Sequence, residues 1–136
     1  EVIVCDCPPN LTLPTQNALA MSTHYVVPVS PDFLSSLGIA LLMKRVSAFG
    51  KDLGVEIQNA GIVLSRVGRQ SYFRAQTTQS IRDTFDGAVL ATEITERSVV
   101  AQAAAQNTPV FAMGNADAKR EFDLVCREIL TRVEKQ

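Results

Sequence analysis

The sequence predicts an α/β fold with a doubly wound, mainly parallel sheet flanked by helices. Short apolar runs alternate along the chain with segments whose apolar residues recur every three or four positions, which is typical of a parallel sheet wrapped by helices. Residues 60–64 form an apolar run without polar interruption, as expected of a strand that is covered on both faces. With 136 residues, of which 46% are hydrophobic, the chain has the length of one domain and enough apolar side chains for a core.

The first half of the chain contains three predicted strands and one predicted helix. Residues 2–5 are β-rich and apolar, and residues 25–29 form a second strand that stops at a proline-containing turn. Apolar residues three or four positions apart predict a helix over 34–49, which Gly50 is expected to end. Residues 60–64 are the third strand.

The second half is predicted to contain three helices and two short strands. One helix has Phe73, Thr77, Ile81 and Phe85 on a single face. The other predicted elements are a weak strand at 88–91, a helix capped by Thr95 that continues to 106, a short strand at 109–113, and a last helix, with apolar residues between 122 and 133, capped by Asn115 or Asp117.

Charge and cysteine content exclude several classes of protein. The 13 basic and 14 acidic residues give a net charge of −1, so no global field favours nucleic acid or membrane, and any polyanion site must be local. No apolar run approaches the roughly 20 residues of a membrane span, and the start lacks the basic region of a signal peptide. The cysteines, at positions 5, 7 and 126, are odd in number, which disfavours a disulfide framework. We therefore expect a cytoplasmic protein without a membrane partner.

Asp6 is the first candidate functional residue. It follows the apolar run 2–5 and precedes the turn Cys7-Pro8-Pro9-Asn10. A carboxylate at the tip of a strand, followed by a stiff turn, is how a Walker B motif presents an acid to the Mg²⁺ of a bound nucleotide. The sequence has no G-x-x-x-x-G-K-[ST] loop, and it begins at Glu1 inside a predicted strand. We expect the part that would hold the phosphates to lie outside this chain.

These residues resemble the ParA/Soj/MinD family of deviant Walker-A ATPases. The similarity is carried, in the order of the family, by residues 2–10, by Leu13, Thr15 and 17–19, by 27–34 and Gly38, by 61–66, by 92–105, and by Pro109 and Val110. It covers essentially the whole chain. The resemblance implies a P-loop NTPase-like sheet that lacks its first strand and P-loop, with residues 1–136 as a single domain, the C-terminal portion of a ParA-like ATPase.

The resemblance also implies a nucleotide site. Asp6 matches the Walker B acid that holds Mg²⁺ through water, and Pro8 and Pro9 match the switch segment that senses the γ-phosphate. Ser65 stands where many relatives have an adenine-reading asparagine, and the segment Ile94, Thr95, Glu96 and Arg97 stands where they have a loop against the base. ATP and Mg²⁺ are the expected cofactors of the complete protein. Neither is expected to bind this chain tightly, because the phosphate loop and its signature lysine are missing.

A DNA-binding role is the second hypothesis. Four arginines, Arg66, Arg69, Arg74 and Arg82, fall within seventeen positions that contain no acid, and arginines on an exposed face can neutralise phosphates without reading sequence. The alternative is a solvated face with ordinary ion pairs. The resemblance favours nonspecific double-stranded DNA, and it implies a homodimer, an adaptor or centromere-binding partner protein, and a nucleoid-associated role in positioning plasmid or chromosome cargo.

One further reading stays open. The chain could be a non-catalytic interaction module, a degenerate ParA-like partner protein that keeps the sheet but does not hydrolyse nucleotide. An iron–sulfur carrier is disfavoured because the later half holds a single cysteine and no C-x-x-C pair. The sequence upstream of Glu1 would discriminate between a truncated ATPase and such a module.

Overall fold

A computed structural model describes residues 1–32, 34–68 and 72–135, and in this part of the chain three parallel strands are flanked by five α-helices. The strand order is β1-β2-β3. The elements, in chain order, are α1 (Leu13–Ala20), β1 (His24–Val29), α2 (Ser35–Leu53), β2 (Gln58–Val67), α3 (Tyr72–Thr84), β3 (Ile94–Thr95), α4 (Ser98–Ala105), a 3₁₀ turn (Val110–Ala112) and α5 (Ala116–Lys135).

The central strand β2 is covered on both faces, which confirms the predicted fold class. Its side chains alternate between the two faces of the sheet. Ile62 and Leu64 pack on one side in a cluster that includes Ile39 of α2 and Ile81 of α3. Val63 packs on the opposite side, with Leu90 and with Val125 of α5. The sheet is therefore the middle layer between α2 and α3 on one face and α5 on the other.

The predicted strand at residues 2–5 is wrong. Residues 1–10 are exposed, and residues 1–8 form neither helix nor strand. An apolar run becomes a strand only when a neighbouring strand satisfies its backbone N–H and C=O groups. Within the described part of the chain β1 pairs with β2 alone, and no strand lies beside residues 2–5. The sheet therefore ends at β1, although β1 itself and β2 were predicted within two or three residues of their observed limits.

Helix α2 was predicted correctly, but not its end. Gly50 lies inside the helix, where a Cβ would meet the carbonyl oxygen of Val55 at 2.8 Å. The absence of a side chain at Gly50 therefore allows the chain that returns to β2 to approach the helix closely. The helix ends at Gly54, whose φ of 68° is the left-handed conformation of a helix C-cap.

Two other short apolar runs do not form the predicted strands. At 88–91 only an isolated bridge joins Val89 to Ile62, and the third strand lies instead at Ile94–Thr95. Residues 109–113 contain the 3₁₀ turn. Thr95 does not cap the next helix, because its N–H and hydroxyl both donate to Glu121, and the N-cap of α4 is Arg97.

The final helix is confirmed, and the structure selects its cap. The side-chain oxygen of Asn115 accepts a hydrogen bond from the N–H of Ala118 at 2.9 Å, so Asn115 caps α5 and Asp117 lies in its first turn. The short helix α1 was not predicted. None of the described helices is long and apolar enough to cross a membrane.

Candidate functional site

The carboxyl ends of β2 and β3 bring the predicted base-contacting residues together. The two strands are parallel, with Ser65 opposite Ile94 and Val67 opposite Thr95. Beyond this pairing, the N–H of Glu96 donates to the carbonyl of Val67 at 3.1 Å. Residues 28 or 29 positions apart in sequence therefore meet at one edge of the sheet, where open parallel sheets bind their ligands.

Arg66 lies at this edge in an unusual conformation. Its φ of 56° is in the left-handed region. Residues other than glycine seldom adopt this backbone conformation, which costs about 1–3 kcal/mol. The register of β2 and β3 shifts at this position. The Arg66 side chain is 73% exposed, and its guanidinium lies 3.4 Å from the carboxylate of Glu96. Solvent screens such a pair, so we assign it little stabilisation.

The hydroxyl of Ser65 already has a partner. It donates to the carbonyl of Val29, the last residue of β1, at 3.4 Å. A ligand at this edge would therefore find the oxygen lone pairs of Ser65 as acceptors, while its single donor is directed at β1.

Helix α5 holds the segment that contains β3 through Glu121. One oxygen of this carboxylate accepts the N–H of Thr95 at 3.0 Å, and the other accepts the Thr95 hydroxyl at 2.8 Å. The guanidinium of Arg97 donates to the same carboxylate. The side chains of Glu121 and Arg97 are each 20% exposed, so solvent screens this pair less than an open surface pair.

Glu128, two turns further along α5, holds the beginning of the same segment. Its two oxygens accept the N–H groups of Ala91 at 2.8 Å and of Thr92 at 3.2 Å. Arg132 lies 3.1 Å from Glu128. The Arg132 guanidinium also donates to the carbonyls of residues 87, 88 and 89 at 3.0–3.1 Å.

The hydrogen bonds also set the charge of the two acids. Burial alone would raise the pKa of Glu121, but the bonds from Thr95 and Arg97 outweigh it and lower that pKa below its ordinary value. Glu128 behaves in the same way: burial opposes ionisation, and the N–H groups of Ala91 and Thr92, followed by Arg132, lower its pKa. Both carboxylates are therefore charged near neutral pH.

Among the described residues, Asp6, Pro8 and Pro9 form no hydrogen bond or ion pair with the residues at these strand ends. All three are exposed, and Asp6 forms no hydrogen bond or ion pair with any other described residue. The carbonyl of Pro8 accepts the N–H of Asn10 at 2.8 Å and the hydroxyl of Thr15 at 3.4 Å, so the proline turn leads directly into α1.

The acidic residues of the chain can be compared with what a Mg²⁺ site requires. It is held in proteins by one or two carboxylates together with waters and substrate phosphates. Asp6 supplies one suitable oxygen ligand. Among residues 1–32, 34–68 and 72–135, however, no three His, Cys, Asp or Glu side chains come together as a metal site. The described residues therefore bring no second or third such side chain together with Asp6 as a three-ligand metal site.

The four arginines of the DNA hypothesis differ in their surroundings. Arg66 is exposed, as described above. Arg82 is partly buried: its guanidinium donates to the carbonyl of Leu90 at 2.9 Å and lies 2.7 Å from the carboxylate of Glu93. Arg69 and the side chain of Arg74 lie outside the described residues. The prediction of a DNA-binding face thus stays a prediction, with Arg66 as the better exposed of the two described side chains.

Sequence reasoning missed the polar residues of α5. Glu121, Val125, Glu128 and Arg132 are spaced by four, three and four positions, so they lie along one stripe of the helix. Val125 on that stripe is buried. Charged residues that share a helix stripe with a buried valine are expected to contact the protein as well as water. That spacing is the signal in the sequence that could have identified them.

Comparisons with known proteins agree with this architecture. A family model described as an AAA domain matches residues 1–59. The chain is 30% identical over 111 residues to the cell division protein PomZ of Myxococcus xanthus, with 82% of this chain and 35% of PomZ covered. It is 26% identical over 110 residues to the sporulation initiation inhibitor protein Soj of Bacillus subtilis, with 81% of this chain and 44% of Soj covered.

A third relative and a solved structure extend the similarity. The chromosome partitioning protein ParA of Caulobacter vibrioides is 25% identical over 131 residues, which cover 96% of this chain and 49% of that protein. The structure of Cyanthece apo McdA superposes with a TM-score of 0.70 at 15% identity, over 82% of this chain and 46% of McdA, which shows the shared fold. The chain spans about a third to a half of the length of these relatives. The comparisons confirm that the chain resembles the ParA/Soj/MinD family of deviant Walker-A ATPases over most of its length.

Proposed function

We propose that this chain is the C-terminal part of a ParA-like partitioning ATPase that dimerises with ATP, binds nonspecific double-stranded DNA, and positions plasmid or chromosome cargo. The supporting observation is the meeting of Ser65 with the segment 94–96 at the carboxyl edge of β2 and β3. This edge is where open α/β sheets bind ligands. An adaptor or centromere-binding protein would be the further partner.

In this proposal the chain supplies the base-binding and switch parts of the site. Ser65, Ile94, Thr95 and Glu96 surround the base. Asp6 would hold Mg²⁺ through water, and the turn at Pro8 and Pro9 would sense the γ-phosphate. The bound Mg²⁺ would neutralise phosphate charge. The backbone N–H groups and lysine that cradle the phosphates would come from residues outside this chain, so residues 1–136 alone should neither hydrolyse ATP nor bind it tightly.

Calorimetry with Mg²⁺ and ATP tests the nucleotide role. We expect no binding by the 136-residue chain at concentrations that detect about millimolar affinity, and clear binding and hydrolysis by the full-length protein. Asp6→Asn in the full-length protein should abolish hydrolysis. Asp52→Asn is the matched control, because Asp52 is an exposed carboxylate on α2 with the same change of charge. Hydrolysis by the 136-residue chain, or an unaffected Asp6→Asn variant, would contradict the proposal.

Arg66 offers the sharpest test of DNA binding. Its exposed guanidinium can be reversed in charge without removing a buried contact, whereas reversal of Arg82 would also break its bonds to Leu90 and Glu93. Arg66→Glu in the ATP-bound full-length protein should weaken binding to a duplex of arbitrary sequence and reduce its salt slope by about one. Arg45→Glu, at an exposed position on α2, is the control. If the two variants bind DNA with equal affinity, the surface that carries Arg66 is an ordinary solvated face and not a DNA-binding site.

The second candidate is a non-catalytic interaction module. It is favoured by the position of Asp6, which lies on an exposed segment that pairs with no strand in the described part of the chain. A full-length protein that binds no ATP, yet forms the same complexes as its relatives, would support the module over the ATPase.

A further inference from the structure

Segment 91–97 receives little support from the sheet. Only Ile94 and Thr95 of this segment form a strand, and they pair with the end of β2 at a shift in register. A strand of two residues is much shorter than the usual five or six. Other contacts must therefore fix the conformation of this segment.

Two carboxylates of α5 supply those contacts. Glu128 accepts the N–H groups of Ala91 and Thr92, and Glu121 accepts the N–H and hydroxyl of Thr95 together with the guanidinium of Arg97. Each acid thus holds one end of the segment. Hydrogen bonds to ionised acceptors are stronger than those between neutral groups.

The carboxylates are themselves fixed by the helix. Glu121 and Glu128 lie on the same stripe as Val125, which is 6% exposed and packs with Val63 and Leu90 against the sheet. Arg132 fixes Glu128 from one turn further along and holds the carbonyls of residues 87–89. Helix α5 therefore holds both ends of segment 91–97, in addition to the pairing of Ile94 and Thr95 with β2.

We propose that Glu121 and Glu128 are positioning residues of the nucleotide site, which hold segment 91–97 in the conformation that base binding requires and do not touch the nucleotide. This inference rests on the proposed function, because it takes residues 94–96 as the base-contacting segment. It makes α5 part of base recognition. Loss of either acid should impair binding of the base while contacts to the phosphates persist.

The test uses the full-length protein and its Glu121→Gln and Glu128→Gln variants, with Glu134→Gln as control. Glu134 is an exposed acid of the same helix. We expect the Kd for ATP to rise by about tenfold in each of the two variants. The Kd for inorganic tripolyphosphate, which has phosphates but no base, should stay within about twofold. Hydrogen exchange at the amides of residues 91, 92 and 95 should accelerate by about tenfold, as expected for local opening.

Each outcome separates this inference from the proposed function. If the wild-type protein binds no ATP, the proposed function fails and the inference fails with it. If the wild type binds ATP and both variants keep its affinity, only the inference is overturned. An equal loss of tripolyphosphate affinity would mean general structural damage and would also overturn it. Should Glu121→Gln not fold, Glu121→Asp keeps the charge with a shorter reach, and the same selective loss of ATP affinity is required.

Discussion

Replacing Leu64 with alanine tests whether β2 is the centre of the fold. The Leu64 side chain is fully buried and belongs to the cluster that joins β2 to α2 and α3. The substitution removes three carbon atoms, whose transfer from water contributes about 0.8 kcal/mol each, or about 2.4 kcal/mol. The cavity left behind adds to this loss, so we expect the free energy of unfolding to fall by about 3–4 kcal/mol.

Leu37→Ala is the matched control. It makes the same chemical change on α2, at a side chain that is 72% exposed, and should alter the free energy of unfolding by no more than about 0.5 kcal/mol. Urea unfolding followed by circular dichroism measures both variants, with a lower midpoint and an unchanged m-value expected for Leu64→Ala. Similar losses in the two variants, or a loss below about 1 kcal/mol for Leu64→Ala, would refute the assignment of Leu64 to the core.

Three other predictions concern the two acids of α5, two glycines and the cysteine thiols. Because the pKa values of Glu121 and Glu128 are lowered in the folded state, their stabilisation should be complete above their ordinary value of 4.5 and lost as pH falls through the lowered values. The double glutamine variant should be less stable at pH 7 and show a shallower loss in acid, which urea midpoints from pH 7 to pH 3 would measure. Gly61→Ala should destabilise the chain by more than about 2 kcal/mol, since its Cβ would lie 2.0 Å from Leu90 at a φ of 147°. Gly38→Ala, in α2 with no heavy atom within 4 Å, should instead stabilise it by about 0.5–1 kcal/mol, and thermal melts would compare the two. All three cysteines are free and exposed, so a thiol reagent should titrate three equivalents without denaturant; fewer would mean that part of the exposed surface is covered in solution.

The sequence predicted the long elements because their information is local. The apolar spacing of 122–133 identified α5, and the spacing of 34–49 identified α2, since helical hydrogen bonds join residues four positions apart. The continuous run 60–64 identified β2 because it is long and apolar enough to be buried on both faces. The prediction missed the end of α2 because Gly50 is needed for a tertiary contact and not for a helix end. The backbone at Val55 comes so close to Gly50 that a Cβ there would meet it, and only the tertiary structure shows this contact.

The short apolar runs were ambiguous for the opposite reason. Residues 2–5 and 109–113 have the composition of strands, but no strand of the described part of the chain pairs with them. Residues 88–91 meet β2 only at the bridge between Val89 and Ile62. The structure pairs Ile94–Thr95 with β2, although the sequence predicted Thr95 as the N-cap of a helix. Pairing across the sheet therefore decided which run became β3.

The same distinction between local and tertiary information applies to the candidate site. The sequence by itself determined the fold class, the resemblance to ParA-like ATPases, and the identity of Asp6, Ser65 and 94–96 as candidate site residues. Only the tertiary structure decided that Ser65 and 94–96 share one edge of the sheet, and that two acids of α5 hold this edge. The reason is physical: a side chain's type and periodicity are set by the chain, whereas its hydrogen-bond partners are set by which distant segments pack against it.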